Sequence, residues 1–366
     1  MKKIITLCTL LAAQINGAQS FKNDTNIQKI VSEKITKTQI PGMAAAIIYK
    51  DSIYYNVAGT ISNESKEPIS EKTLFHIASN TKAFTSLLAF QCIEKGQLNL
   101  ESKFFDVLPE LKSEQNKAFH HITLKELLSH QAQIQPFTAG NEINQIKIKK
   151  ESLTDQRREF ATQVLNLPNV EKGTYSNAGY VLAAMMIEKA ENKPFEDVLA
   201  MYLKSNNWEY SFGFPNKKDT KNAWGHWMEN NKLVALGPNH FYKLPEYMLP
   251  AGDLSMNIKD YSQWLFQHIQ GLQNKEVNNP YQIMHYQQKD MSYGWGNAVQ
   301  NGQKLSFHDG STGTYYTHAI LLPEQQIGIT IFANAADDAH VAAIYELQQE
   351  LFAHLKTIVD GHNRKP

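Results

Sequence analysis

A serine hydroxyl can open an acyl bond without a metal if a base stands beside it and donors receive the oxyanion. Ser79-Asn80-Thr81-Lys82 supplies the hydroxyl and the amine at a spacing of i to i+3, on one face of a helix. An apolar approach, Leu74-Phe-His-Ile-Ala78, leads into it, and helical periodicity follows as far as Lys95. A helix N-terminus at this point offers unpaired N–H groups and the positive end of a dipole. With 20 Ser and 33 Lys in 366 residues, chance alone gives about two such tetrads. This chain has one. An ordinary N-cap serine beside a surface lysine would look the same.

Two further segments carry chemistry. Gly173-Thr-Tyr-Ser-Asn-Ala-Gly-Tyr180 places Tyr175 and Asn177 between glycines, which suits a tight loop presenting a phenol and an amide to a cleft. A phenolate must titrate well below about 10 to act near neutrality, and a neighbouring ammonium would lower it. Tyr54-Tyr55-Asn56 has the same Tyr-x-Asn spacing, so the tripeptide alone says little. Phe307-His-Asp-Gly-Ser-Thr-Gly313 ends a strand pattern, and its glycines allow a ligand close to the backbone. His120, His121, His226, His240 and His318 have no metal-ligand spacing, so neither a metal nor a cofactor is expected.

The elements that must position these residues come from both ends of the chain. Asn26–Lys37 has helical spacing. Met43–Tyr49 and Ser52–Ala58 flank Lys50-Asp51 as a hairpin. Tyr293–Gln300 and Lys304–His308 flank Asn301-Gly302, a strong hairpin turn signal. Thr317–Leu322 and Gly328–Ala333 form a second strand pair, and a helix from Asp338 to Val359 closes the sequence. Between them lie helical patches at Leu124–Ser129, Tyr180–Glu191 and Ile258–Gln270. The polar stretch Asn141–Arg158 is expected to be a solvated loop. The economical architecture is α/β (α+β): one antiparallel sheet built from both termini, flanked by helices, with a mainly helical region inserted. In residues, the sheet region is 19–78 with 290–366, and the helical region is 79–289.

Residues 1–18 have a secretory signal pattern: Lys2 and Lys3, an apolar run from Ile4 to Ile15, then Asn16-Gly17-Ala18 before the expected cleavage. That run is short of the ~20 residues a membrane span needs. The mature chain is therefore expected to carry no integral membrane segment and to work in the periplasm or outside the cell. Cys8 would leave with the leader, and Cys92 would remain as a buried, inert thiol. Lys plus Arg equals Asp plus Glu at 36 each, which removes the basic excess that nucleic acid demands. Trp208, Trp224 and Trp227 cluster with Tyr210, Phe212 and Phe214, as packing or as an aromatic wall of a cleft.

Taken together and in order, Ser79-x-x-Lys82, Tyr175-x-Asn177 and His308-x-Gly310 resemble the serine β-lactamase and penicillin-binding-protein superfamily. Ile122–His130, Pro250-Ala-Gly-Asp-Leu-Ser255, Tyr293-Gly-Trp-Gly296 and His308-Asp-Gly-Ser-Thr-Gly313 resemble further segments of it, so the likeness covers about residues 25–355. The subgroup it most resembles holds class C β-lactamases, D,D-peptidases, D-aminopeptidases and carboxylesterases. The resemblance implies a β-lactamase/transpeptidase-like fold and an acyl-enzyme on Ser79. It implies that Lys82 and Tyr175 share the acid and base work, with the choice of base left open. Asn177 would hold a substrate amide or orient Lys82, and His308, Gly310 and Ser311 would bind substrate. The backbone N–H groups of Ser79 and Ser311 would form the oxyanion hole.

Three departures from the pattern matter. His308 replaces a usual lysine, so no permanent cation awaits a substrate carboxylate; an ordinary histidine is half charged near about pH 6.5. Asp309 is expected to raise the His308 pKa or repel an anionic substrate. Gln131-Ala-Gln-Ile-Gln135 stands where a Thr-Ser-Gly turn is usual. The expected function is a serine hydrolase cleaving D-amino-acid peptides of the D-Ala-D-Ala type, or carboxylic esters. Its expected partner is a small-molecule or peptide substrate, cell-wall-derived ones included. A β-lactamase and a penicillin-binding sensor without turnover are the alternatives.

Overall fold

In a computed structural model of the chain, the described residues are 20–363 apart from 275, 277 and 278. The leader and Cys8 lie outside them. Strand β2 (Gly42–Tyr49) is buried along its whole length because its alternate side chains enter two different cores. Ala44, Ala46 and Ile48 join the larger core, while Met43, Ala45, Ile47 and Tyr49 join the second. β3 (Ser52–Gly59) returns antiparallel to it through a turn in which Lys50 takes φ 52°. Near the other end, β4 (Gly296–Gln300) and β5 (Gln303–Ser311) are joined by Asn301 and Gly302, at φ 52° and 77°. Two consecutive positive φ values are what a type I′ hairpin requires.

β6 (Tyr316–Leu322) and β7 (Ile327–Ala333) follow, and β7 pairs with β2, which closes the two ends of the chain into one sheet. Among the described residues its order is β1-β3-β2-β7-β6-β5-β4, with β1 at Ser20–Asn23. The sheet is mixed rather than purely antiparallel, because β1 runs parallel to β3. Helices α1 (Thr25–Thr38) and α6 (Asp338–Asn363) cover one face through Ile27, Val31, Ile344, Leu347 and Leu351. The opposite face meets α2 (Thr81–Glu94) and α5 (Ile258–Gln273), where Phe84 stacks on Trp264 at 4.0 Å. α2 and α4 (Asn177–Glu191) are buried nearly all round, as a helix at the centre of a larger body must be. Cys92 is buried on α2, and burial pushes its thiol up to about 12, so it stays unreactive.

The expected loop Asn141–Arg158 is instead partly helical, with one turn at Gly140–Ile143 and helix α3 over Leu153–Val164. The helix was masked because its buried face includes an arginine. Arg157 is fully buried and reaches Glu196 at 2.7 and 2.8 Å and Glu188 at 2.5 Å. A guanidinium takes two carboxylates in its planar fork, so the charges enter together. Replacing it strands both acids: Arg157→Met is expected to lower the unfolding free energy by about 3–5 kcal/mol in urea titrations.

Candidate active site

The candidate nucleophile sits on a turn held from several sides. Phe75–His76 pairs with the short strand Leu254–Met256, and a 3-10 turn over Ala78–Asn80 then leads into α2. Ala78 has φ 47°, an unfavourable left-handed conformation for a residue with a Cβ. Its carbonyl accepts from Thr81 Oγ1 at 2.7 Å. Asn80 ties the same turn to β6 and α5, donating to the Thr317 carbonyl and accepting from the Tyr261 hydroxyl at 2.6 Å. Ser79 is therefore not an N-cap at a helix start; it rides on the preceding turn.

One helical step on, Lys82 is completely buried, with Nζ 3.1 Å from Ser79 Oγ and 2.5 Å from the Ala251 carbonyl. Burial holds its pKa well below the usual 10.5, which favours the neutral amine beside the serine. Its Nζ lies 4.8 Å from the Tyr175 ring centroid and 5.6 Å from that of Tyr180.

Tyr175 follows Gly173, which takes φ 89°, and its hydroxyl hydrogen-bonds to Ser79. Part of its side chain stays accessible, yet its surroundings are dense enough that desolvation pushes the phenol above its ordinary value. The serine hydrogen bond opposes this more weakly. The expected lowering by an ammonium is not found; desolvation sets the direction of the shift. The Tyr175 ring stacks on His130 at 4.3 Å and 28°. His130 Nδ1 accepts the Ser176 N–H at 3.0 Å, and burial first, then Lys82, depresses its pKa.

Asn177 Nδ2 donates to the Phe137 carbonyl at 2.9 Å rather than serving Lys82, and its buried Oδ1 has no protein partner. The unusual glutamines fasten this corner. Gln133 Nε2 holds the Val170 carbonyl at 3.1 Å, Gln135 Nε2 the Pro168 carbonyl at 2.8 Å, and Ser176 Oγ donates to the Gln135 carbonyl.

On β5, His308 is buried, and its Nδ1–H donates to the Gly294 carbonyl at 2.6 Å. Burial, then proximity to Lys82, pushes it down to about 4, so it is uncharged at neutrality instead of half charged. Asp309 raises the His308 pKa, as expected, but more weakly than burial and Lys82 lower it. One residue along the strand, it points to the opposite face, where Oδ1 meets His318 Nδ1 and Oδ2 accepts from Tyr345, each at 2.6 Å. Gly310 is a packing residue rather than part of the cleft lining. A Cβ there would come within 2.3 Å of the Ile77 carbonyl, so glycine lets β5 lie against the serine turn. A cleft of about 330 Å³ opens beside these groups. Ser79, Asn177, Ser311, Ile143, Tyr242 and Met248 are among its lining residues, none of which is charged.

Two residues with no role assigned from the sequence hold the serine turn. His76 Nε2 lies 2.9 Å from Asp253 Oδ1, and His76 Nδ1 accepts the Ala78 N–H at 3.2 Å. The pair is buried and couples the strained residue before Ser79 to the segment whose Ala251 carbonyl holds Lys82. Pro250-Ala-Gly-Asp253 drew notice for its resemblance alone; the separation of 177 residues hid the partnership. Among the described residues no group of three His, Cys, Asp or Glu is placed to hold a metal, and no helix is long and apolar enough to cross a membrane.

This sheet, with a Ser-x-x-Lys turn beneath one strand, defines a β-lactamase/transpeptidase-like α/β protein. Residues 27–351 match the family model described as Beta-lactamase, and the chain belongs to that family. It is similar to the protein flp of Staphylococcus aureus strain N315, 26% identical over 92% of this chain and 67% of the relative. It thus spans about two thirds of that protein's length. A β-lactamase of Escherichia coli K12 is 24% identical over 94% of this chain and 99% of the relative. In fold it is similar to the octameric penicillin-binding protein homologue from Pyrococcus abyssi, with a TM-score of 0.70 and 22% identity over 89% of this chain and 77% of that one.

The His76 pair yields a direct test. His76→Leu strands the Ala78 N–H and the Asp253 carboxyl, and is expected to cost about 2–4 kcal/mol in chemical unfolding. Asp253→Asn keeps an acceptor for His76 and should cost less than half as much.

Proposed function

We propose that this protein is a serine hydrolase that forms an acyl-enzyme on Ser79 and acts on neutral carboxylic esters. The observation that carries the reading is the buried Lys82 amine, 3.1 Å from the Ser79 hydroxyl and facing an uncharged cleft. Lys82 takes the Ser79 proton as Oγ bonds to the acyl carbon. The backbone N–H groups of Ser79 and Ser311 receive the oxyanion. Tyr175, still a phenol at neutrality, protonates the leaving alkoxide and recovers its proton from the Lys82 ammonium. Water then repeats the sequence to release the acid. Asn177 Oδ1, which has no protein partner, accepts an N–H or O–H of the substrate.

The uncharged lining supports esters over a D-Ala-D-Ala peptide or a β-lactam, because both of those present a carboxylate that a cation would have to match. Amide bonds lacking a free carboxylate are the second reading, favoured by the same Asn177 acceptor. The signal pattern over residues 1–18 supports export to the periplasm or beyond.

A fluorophosphonate probe should label the wild type and leave Ser79→Ala unlabelled; equal labelling of both would overturn the assignment. The pH dependence discriminates the base. Because burial lowers the Lys82 pKa, its neutral form is gained at a lower pH than in an ordinary lysine and is lost on acidification. Labelling should therefore level off at a lower pH than an ordinary lysine would give; a rise of about tenfold per unit continuing to about pH 9.5 would overturn Lys82 as the base. Among a chromogenic cephalosporin, a D-Ala-D-Ala peptide and a p-nitrophenyl ester, the ester should turn over fastest. Stoichiometric labelling without turnover of any of them would instead identify a sensor.

A further inference from the structure

Phe241 is 82% exposed, the most exposed large hydrophobic residue among those described. Such exposure is common at the end of a slack loop, but this loop is fastened. Lys217 Nζ donates to the Pro238 and His240 carbonyls, and Asn216 Nδ2 donates to the Leu236 carbonyl at 2.8 Å. The Phe241 ring stacks on His240 at 4.6 Å and 30°, and Trp227, on the ribbon His226–Glu229, stands 5.0 Å from His240 and 6.3 Å from Phe241. Three rings thus form one shelf.

The shelf is continuous with the cleft. Trp227 also packs on Tyr242 at 5.7 Å, and Tyr242 lines the cleft beside Leu244 and Ile143. The Tyr242 hydroxyl donates to the Thr312 carbonyl at 2.7 Å, one residue beyond Ser311. An aromatic surface therefore runs from Tyr242, which is bonded to the oxyanion strand, out to a ring presented to solvent by a fastened loop. Exposed apolar surface of this kind mostly marks a binding site. Preorganising it lowers the cost of ordering on binding.

We propose that Trp227, His240 and Phe241 form a subsite for an extended aliphatic chain on the ester substrate. This deepens the ester reading above and rests on it. A short acyl group fills the cleft alone, and a longer chain passes over Tyr242 to cover Phe241. Chain length, rather than charge, then sets substrate preference.

The test compares an ethyl and a decyl fluorophosphonate as labels of Ser79. The wild type should react about tenfold or more faster with the decyl probe, as expected for several buried methylenes. Phe241→Ala and Phe241→Asp should lose most of that ratio with ethyl labelling unchanged, and Phe241→Leu should keep it. A wild-type ratio near one, or a ratio unchanged in Phe241→Ala, overturns the subsite while leaving the Ser79 assignment standing. Failure of both probes to label the wild type overturns the acyl-enzyme reading and the subsite with it. A fall in solution mass for Phe241→Asp, with the chain-length ratio kept, overturns the subsite by assigning the shelf to contact with a second copy.

Discussion

Lys82 is shut away from water with its amine held between the Ser79 hydroxyl and a backbone carbonyl. Removing an ammonium from water is costly unless an anion goes with it, so burial lowers the Lys82 pKa and favours the neutral amine. The rest of the site depends on that outcome. In the mechanism proposed above, the amine accepts the serine proton, and desolvation keeps the neighbouring Tyr175 phenol protonated so that it can serve as the acid. Burial thus favours opposite roles for two residues whose types alone leave them undivided.

Keeping the amine there requires that two remote stretches of chain remain in contact. The Ser79 turn precedes α2, and the Ala251 carbonyl lies far away in sequence. Thr85 Oγ1 bonds the Pro250 carbonyl at 2.7 Å, the Leu254 N–H bonds Thr81 Oγ1, and His76 bonds Asp253. Each of these bonds crosses between the same two segments. The left-handed Ala78 is tolerated because these contacts over-determine the turn. Gly310 completes the arrangement from below, since any side chain on β5 at that point would push the turn away.

Much of this was legible in the sequence because local chemistry dictated it. Asn301-Gly302 can hardly form anything but a tight hairpin, and two apolar runs either side of Lys50-Asp51 mark β2 and β3. The ordered Ser-x-x-Lys, Tyr-x-Asn and His-x-Gly segments mark the family, and the fold brings Ser79, Lys82, Tyr175 and His308 into one region. What stayed hidden was long-range or inverted in polarity. Arg157 broke the apolar face of α3 because its charge is matched by Glu188 and Glu196 from elsewhere, so the helix resembled a solvated loop. His76 and Asp253 are ordinary until the fold brings them together. The titration of His308 is hidden for a related reason: residue type gives a histidine its usual pKa, whereas burial and Lys82 lower it here.

Asp309 shows how narrowly the electrostatics are set. The site gathers three basic groups, Lys82, His130 and His308, all depressed by burial, with the two histidines lowered further by Lys82. A carboxylate facing Lys82 would favour the ammonium and take away the base. Asp309 adjoins His308 in sequence, yet strand alternation sends its carboxyl through to the other face, where His318 and Tyr345 hold it. Asp253 is likewise occupied by His76. The acids nearest the base are thus anchored to other partners, and the cleft stays uncharged. An uncharged cleft beside a buried amine suits a substrate that brings no charge of its own, which is the property the proposed ester reading rests on.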